Sequence, residues 1–353
     1  MVGNRASARR PLGVATSSYS DDVTQPGSST SLRAAVPLSH RAGLALGIAT
    51  YGMWGVLPLY FPLLEPASAL EIIAHRVVWS LVFCALLLSS TRQLGAYTQI
   101  LRSRRLVGTL AVAAVLVAVN WIIYVYGVTT DQVVDAALGY FINPLVTVLL
   151  AVVVLKERLR PTQWVALSFG VLAVVVITAG LGRVPWISLG LAASFGIYGL
   201  IKNRVGREVA ALPGLAVETT VLFPVALAYI VWLTVQGTSS FGAEGTGHAL
   251  LLVSSGVVTA LPLLSFGAAA RVLPLRVIGM LQYIAPLMQF LIGVLVFREA
   301  MPTVRWVGFS LVWLALVILT VDALRSVRAT RLAERAGRLT AAREAPGSAT
   351  GSP

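Results

Sequence analysis

The residues able to do chemistry in this sequence stand out by position: they sit inside long apolar runs. Glu71, His75 and Arg76 fall within one such run, Glu71-Ile72-Ile73-Ala74-His75-Arg76. On a helix, Glu71 and His75 are four residues apart and share a face. An ionisable group inside a membrane span costs about 3 kcal/mol or more and normally turns toward a cavity. The three could bind a polar solute or carry protons. The alternative is a polar cluster at the membrane edge, with Arg76 snorkelling to the headgroups. Glu218 is placed similarly in a later run. Asn120, Trp121 and Tyr124 form a further group, and Tyr140, Asn143, Gln282 and Tyr283 flank two prolines, Pro144 and Pro286. Aromatic rings with polar tips suit a pocket for a small organic solute. They serve equally well as helix–helix contacts or as an interfacial belt.

The two prolines are the candidate hinges. Proline inside a helix removes one backbone hydrogen bond and clashes with the preceding turn. At ~1.5 Å per residue through a ~30 Å core, both lie roughly 14–15 Å deep, near the midplane. Carbonyls freed there can line a cavity, with the Asn143 amide beside them. A static kink packed by neighbouring helices is the alternative. By the same count His75 lies about five residues from the outer end of its run, and Glu218 about five from the inner end of its own. They read as polar elements of an outer and an inner gate. Cys84 reads as structural, and Glu157 as a partner of Lys156 or Arg158.

The elements that must position these residues are set by composition. Hydrophobic residues make up 57% of the 353 and charged residues 12%. An ordinary soluble domain carries roughly 25% charged residues. A mean hydropathy of +0.83 requires lipid as the solvent for most of this surface. The net charge of +13 sits in the tails and in short loops, which is a topology signal rather than a nucleic-acid-binding face. Nucleic acid is therefore not an expected partner. One cysteine, and the histidines His40, His75 and His248 without ligand spacing, give no metal site. No phosphate-binding GxxxxGK[ST] loop occurs, and no cofactor is expected. Residues 1–40 contain no apolar core, so a retained first helix is expected rather than a cleaved signal peptide.

Ten apolar segments are long enough to span: 43–63, 70–90, 106–127, 134–155, 162–180, 185–202, 213–235, 249–270, 277–297 and 304–324. The flanks, 1–40 and 326–353, have the composition of disordered cytoplasmic tails. With the N-terminus inside, the inner loops hold Arg92, Arg102, Arg104, Arg105, Lys156, Arg158, Arg160, Lys202, Arg204, Arg207, Arg271 and Arg276. The outer loops hold only Arg183, Arg298 and Arg305. Both termini are thus expected in the cytoplasm.

The chain also repeats itself. A shift of 142 residues lays Pro144 on Pro286, Glu157 on Glu299, Trp164 on Trp306 and Ser168 on Ser310. A shift of 144 lays Thr50-Tyr51-Gly52-Met53-Trp54-Gly55 on Ser194-Phe195-Gly196-Ile197-Tyr198-Gly199. The unit is five spans, an odd number, so its second copy must enter the membrane upside down. The expected fold is an all-α membrane protein: ten transmembrane helices as two inverted five-helix repeats, 43–180 and 185–324. The repeat also accounts for Arg298 and Arg305 falling outside.

Several stretches carry a family resemblance: Trp54-Gly55, Pro58-Leu59-Tyr60, Glu71 to Arg76 and Asn120-Trp121. Further ones are Gly139-Tyr140-Phe141-Ile142-Asn143-Pro144-Leu145, Lys156-Glu157-Arg158-Leu159, Thr259-Ala260-Leu261-Pro262 and Leu281-Gln282-Tyr283-Ile284-Ala285-Pro286. Over about residues 43–322 the chain resembles the RarD-type members of the EamA family, in the drug/metabolite transporter superfamily. The resemblance implies a ten-helix permease with a central cavity between its repeats. The expected function is secondary transport of a small organic solute or drug-like metabolite across the bacterial inner membrane by alternating access, outward in direction. The expected partners are that solute, the bilayer and, through Glu71, His75 or Glu218, protons as coupling ion; a homodimer stays open. The chain is not expected to be an enzyme. A rhomboid-like hydrolase would need a serine–histidine pair that Ser254-Ser255-Gly256 matches poorly. A non-transporting receptor or scaffold is the other alternative.

Overall fold

The computed structural model describes residues 39–156, 158–206 and 208–344. The N-terminal tail to residue 38, and Glu157 with its expected ion pair, lie outside the described residues. All regular structure among the described residues is helical. The elements are α1 His40–Gly55, α2 Leu57–Tyr60, a 3-10 turn Phe61–Leu64, α3 Ala69–Ser90, α4 Leu94–Arg102, α5 Arg104–Thr129 and α6 Val133–Leu155. They continue as α7 Pro161–Leu181, α8 Trp186–Val205, α9 Ala211–Val235, α10 Gly245–Val272, α11 Leu275–Leu281, α12 Ile284–Leu295 and α13 Thr303–Glu344.

Among the described residues, eight helices, or helix pairs read as one, are long and apolar enough to cross a membrane. The count is nine if α1 and Leu57–Leu64, which meet at a 45° bend, are read as one span. The bend follows from Pro58 and Pro62, which deprive the chain of two amide donors. The tenth expected span corresponds to Trp186–Lys202, a shorter apolar helix. Large apolar side chains such as Leu86, Val153, Val225 and Leu295 are exposed around the outside. A soluble monomer does not expose apolar surface on this scale.

Three local features differ from the sequence expectation. The inner loop after α3 contains a helix, α4, which docks Ile100 into the core and bonds Tyr97 to Thr220 at 2.9 Å. α6 runs unbroken through Pro144. At the position reached by the 142-residue shift the helix does break, at Gln282–Tyr283, and Pro286 stands in the first turn of α12. The pair thus consists of one absorbed proline and one true interruption. α13 continues helical to Glu344 across a stretch whose composition suggested a disordered tail. That stretch is rich in Ala, Arg, Leu and Glu, all strong helix formers, and it extends a helix already nucleated.

The packing has a regular pattern. α3 packs on α9, α6 on α12 and α7 on α13. α5 packs on α8, and α10 on α1; α6 packs on α8, and α12 on α1; α3 packs on α10, and α9 on α5. Small residues permit the closest of these approaches. A Cβ on Gly139 would lie 2.7 Å from the Ser188 carbonyl oxygen, and one on Gly256 would lie 2.3 Å from the Trp79 backbone. Without a hydrophobic drive between helices in lipid, such close contact is a main source of association.

Candidate solute-binding site

α3 starts at a side-chain cap: the Glu71 amide donates to Ser68 Oγ at 3.3 Å. From that start, Glu71 and His75 come to one side of the helix, and Arg76 stands about 100° further round. The two directions lead to different neighbours.

Arg76 turns into the protein and does not snorkel. It is 4% exposed. Its Nε donates to Thr259 Oγ1 of α10 at 2.8 Å, and that hydroxyl donates to the Ser255 carbonyl at 2.7 Å. Its Cζ lies 4.7 Å from the Trp121 ring centre and 5.3 Å from that of Phe61. A desolvated cation–aromatic contact is worth about 2 kcal/mol. Nη1 is sealed from solvent and has no hydrogen-bond partner among the described residues. None of the ion pairs among the described residues, taken to 4.0 Å, involves Arg76. Every other Lys or Arg lies outside the ten apolar segments or at the end of one. Arg76 is thus a cation held deep among rings with no carboxylate among the described residues to answer it.

The surrounding rings come from four elements. α2 delivers Tyr60, the 3-10 turn after it delivers Phe61, α5 delivers Trp121 and Tyr124, and α6 delivers Tyr140. Tyr124 meets Phe61 edge-on at 5.9 Å and Tyr140 at 5.6 Å. Its hydroxyl is buried without a partner among the described residues. Tyr140 donates to Asn120 Oδ1 at 3.1 Å, while Asn120 Nδ2 donates to the Leu191 carbonyl at 3.1 Å and to Ser194 Oγ at 3.0 Å. The rings then continue as a file from Tyr140 to Phe195 at 5.9 Å and to Tyr198 at 6.0 Å.

The file ends at Glu218. This carboxylate is 2% exposed, accepts from Lys202 Nζ at 2.7 Å and receives the Tyr198 hydroxyl at 3.4 Å. Glu71 instead accepts from the Ser239 hydroxyl at 3.1 Å and the Ser240 amide at 2.8 Å, so it pins the loop between α9 and α10. His75 stacks on Phe241 of that loop with ring centres 4.8 Å apart. Trp79 Nε1 donates to its Nδ1 at 3.3 Å, which leaves the proton of the neutral ring on Nε2.

Of the residues singled out from the sequence, Arg76, Asn120, Trp121, Tyr124 and Tyr140 come together. Glu71 and His75 form a separate loop contact, and Glu218 a third cluster. Asn143 Oδ1 is sealed without a partner among the described residues, near Gly196. Tyr283, beside Gln282, packs in a different apolar cluster from Phe61 and Tyr124. Tyr283 borders an apolar hollow of about 450 Å³ with Phe141, Trp313 and Thr320. Phe61, Tyr60, Thr259 and Lys202 were not foreseen as site residues. Thr259 and Arg76 are 183 positions apart, so no local spacing could connect them. Lys202 was visible only as a topology charge.

A fourth cluster lies at the start of α6. Asp135 pairs with Arg183 at 3.0 Å and with Arg305 at 3.3 Å. The Glu299 carboxylate accepts from the Val133 and Val134 amides. Burial pushes the Glu299 carboxyl up to about 7, against those two amides and Arg305, which favour its charge.

A multi-pass helical bundle with a buried polar centre defines the class, and the comparisons with known proteins give the family. Residues 41–179 match the model of the EamA-like transporter family. The chain is 54% identical over 291 residues to protein RarD of Streptomyces exfoliatus, covering 82% of this chain and 92% of that one. It is 43% identical over 288 residues to an uncharacterized transporter of Pseudomonas aeruginosa, covering 82% and 96%. A solved crystal structure shares the fold at a TM-score of 0.53 and 16% identity, covering 81% of this chain and 99% of that one. The chain belongs to the EamA-like transporter family, and within it to the RarD type. It is a multi-pass bacterial membrane protein, and a permease by family.

Proposed function

We propose that this chain is a secondary permease that moves a small organic solute out of the cell by alternating access. The observation that carries the reading is the sealed Arg76 among rings drawn from α2, the turn after it, α5 and α6, with Thr259 of α10 as its hydrogen-bond partner. A buried ionisable group in a spanning helix is expensive and marks a solute or ion path. In this reading the bent first span and Trp186–Lys202 complete ten spans, with both termini in the cytoplasm.

Two inverted repeats, 43–180 and 185–324, are supported by the packing pattern. If the first span corresponds to α8, α3 to α9, α5 to α10, α6 to α11–α12 and α7 to α13, every major helix pair has a counterpart. The three self-matched pairs, α3–α9, α6–α12 and α7–α13, then lie along the axis relating the halves. Sliding one half against the other would open Arg76 to alternate sides, with Pro144 and Pro286 as the hinges. Glu218, paired to a partly exposed lysine, is the group assigned to proton coupling.

The test starts from a thermal-shift screen of metabolites and drugs on purified protein, since a ligand of the folded state raises its melting temperature. Each stabilising compound is then followed, radiolabelled, into proteoliposomes. Flux is expected for wild type, with a loss of at least ten-fold in the Pro144→Ala/Pro286→Ala double variant. A well-inserted wild type that binds a compound yet carries none would make it a receptor rather than a permease.

A further inference from the structure

We propose that the solute is an organic monoanion, a carboxylate on a flat apolar body, recognised by Arg76 Nη1 and the Tyr124 hydroxyl. The inference rests on the permease reading and adds the chemical class of what is carried. Two observations carry it. Arg76 and Tyr124 are 4% and 2% exposed, and each has a donor sealed from water with no partner among the described residues. Both side chains also bear on the same ring, Phe61: the guanidinium carbon at 5.3 Å and the Tyr124 ring at 5.9 Å. Sealed donors are rare because native proteins satisfy nearly all of their buried polar groups. Two beside one ring, one of them charged, mark the place of an absent acceptor.

The chemistry of that acceptor follows from the inventory. Arginine donates and never accepts. The positive charge is met by rings and one threonine hydroxyl, so the missing group is an anion rather than a neutral carbonyl. Its charge must be close to −1, because the cluster offers one cation. A phosphate dianion would bring a second charge into the same apolar surroundings and leave it uncompensated. A carboxylate has one charge and two oxygens, one for each donor, and charge-assisted bonds to it are the stronger kind. The body attached to it meets Phe61, Trp121 and Tyr140, which select a flat apolar group. The nearby carboxylates are already engaged elsewhere: Glu71 by Ser239 and Ser240, and Glu218 by Lys202.

The experiment uses matched pairs on the full-length purified protein. Benzoate, phenylacetate, 3-phenylpropionate and indole-3-acetate are compared with their primary amides at millimolar concentration, by thermal shift and by proteoliposome uptake. At least one carboxylate is expected to stabilise the protein and to enter vesicles, with its amide at least ten-fold weaker. Arg76→Met keeps the length of the side chain and removes the charge. This variant gives up the ring contacts and the Thr259 bond but also a buried charge that no carboxylate among the described residues compensates, so it is expected to melt near wild type while losing the carboxylate shift. Arg76→Lys should keep part of the shift, and Tyr124→Phe should weaken it several-fold. If Arg76→Met does not fold, the lysine and phenylalanine variants carry the comparison alone.

Equal stabilisation by acids and amides, a shift that survives undiminished in the variants that fold, or no shift from any acid overturns the proposal. Uptake of a neutral compound together with that result sinks the anion and leaves the permease standing. Specific binding of acids without flux of any compound does the reverse.

Discussion

Glu218 and Lys202 differ in what each can do without the other. The glutamate side chain is 2% exposed and the lysine side chain 30% exposed, and the two are joined at 2.7 Å. If the carboxylate is removed, the lysine can swing to water. If the ammonium is removed, a charge stays buried. Breaking a buried pair on the side that strands its partner costs about 3–5 kcal/mol, whereas the opposite truncation costs about 1 kcal/mol. Lys202→Met should therefore lower the melting temperature well beyond Glu218→Gln, and the double variant should recover most of the loss. Equal effects of the two single changes, measured by thermal unfolding in detergent, would mean that the pair is not buried as described. At this scale the sequence was informative about type but not about partner. Arg76, Asn120, Trp121, Tyr124 and Tyr140 were chosen for polarity inside apolar runs, and they meet. Glu71 and His75 were chosen for the same reason, yet they hold a loop. A helix that is apolar nearly all round gives little sign of which side faces a neighbour.

Among the elements, α3 and α10 make the approach that fixes the site. Ser80 Oγ donates to the Gly256 carbonyl at 3.2 Å, and one turn along Arg76 bonds to Thr259. A Cβ on Gly256 would press on backbone atoms of Trp79 and Ser80, which cannot move as a flexible side chain would. Gly256→Ala should force the helices apart and cost about 1–3 kcal/mol, with ligand-induced stabilisation lost as well. A variant that melts and binds like wild type would refute the close approach. The apolar helices themselves were legible to within a few residues, eight of them long enough to span among the described residues, because apolar length is a strong signal. α4 was missed because nine residues with Arg102 at the end read as a charged loop. The 45° bend was missed because Pro58 and Pro62 fall inside a run that is otherwise apolar throughout.

Over the whole molecule, the loop between α12 and α13 is tied to the start of α6 and to the loop after α7 by Asp135, Arg183, Glu299 and Arg305. Glu299 is the titrating member. Its folded carboxyl is pushed up to about 7 by burial, so the folded protein holds that proton more tightly than the unfolded chain does. The stabilisation is complete below about pH 4.5 and is lost as the pH rises through 7. Unfolding stability should fall between pH 5 and 8 by on the order of 2 kcal/mol from this group, lowering the melting temperature over that range, and Glu299→Gln should flatten that dependence. A wild-type profile that rises over the same range would contradict the assignment. At this scale the sequence offers a register: Pro144, Glu157 and Trp164 recur 142 residues on as Pro286, Glu299 and Trp306. What Glu299 touches was not legible, because its bonds to Val134 join residues 165 positions apart.

The length of α13 has a practical bearing on imaging. Its 42 residues extend ~63 Å, about twice the ~30 Å of a bilayer core. The apolar part is Thr303–Ser326, so residues 327–344 prolong the same rod by roughly 27 Å. A small protein whose helices mostly vanish into a detergent belt gives electron-microscope images little to align on. A rigid soluble helical domain spliced in phase after Glu344 would inherit the orientation of the membrane part through that unbroken backbone, and so serve as a fiducial without touching the solute path.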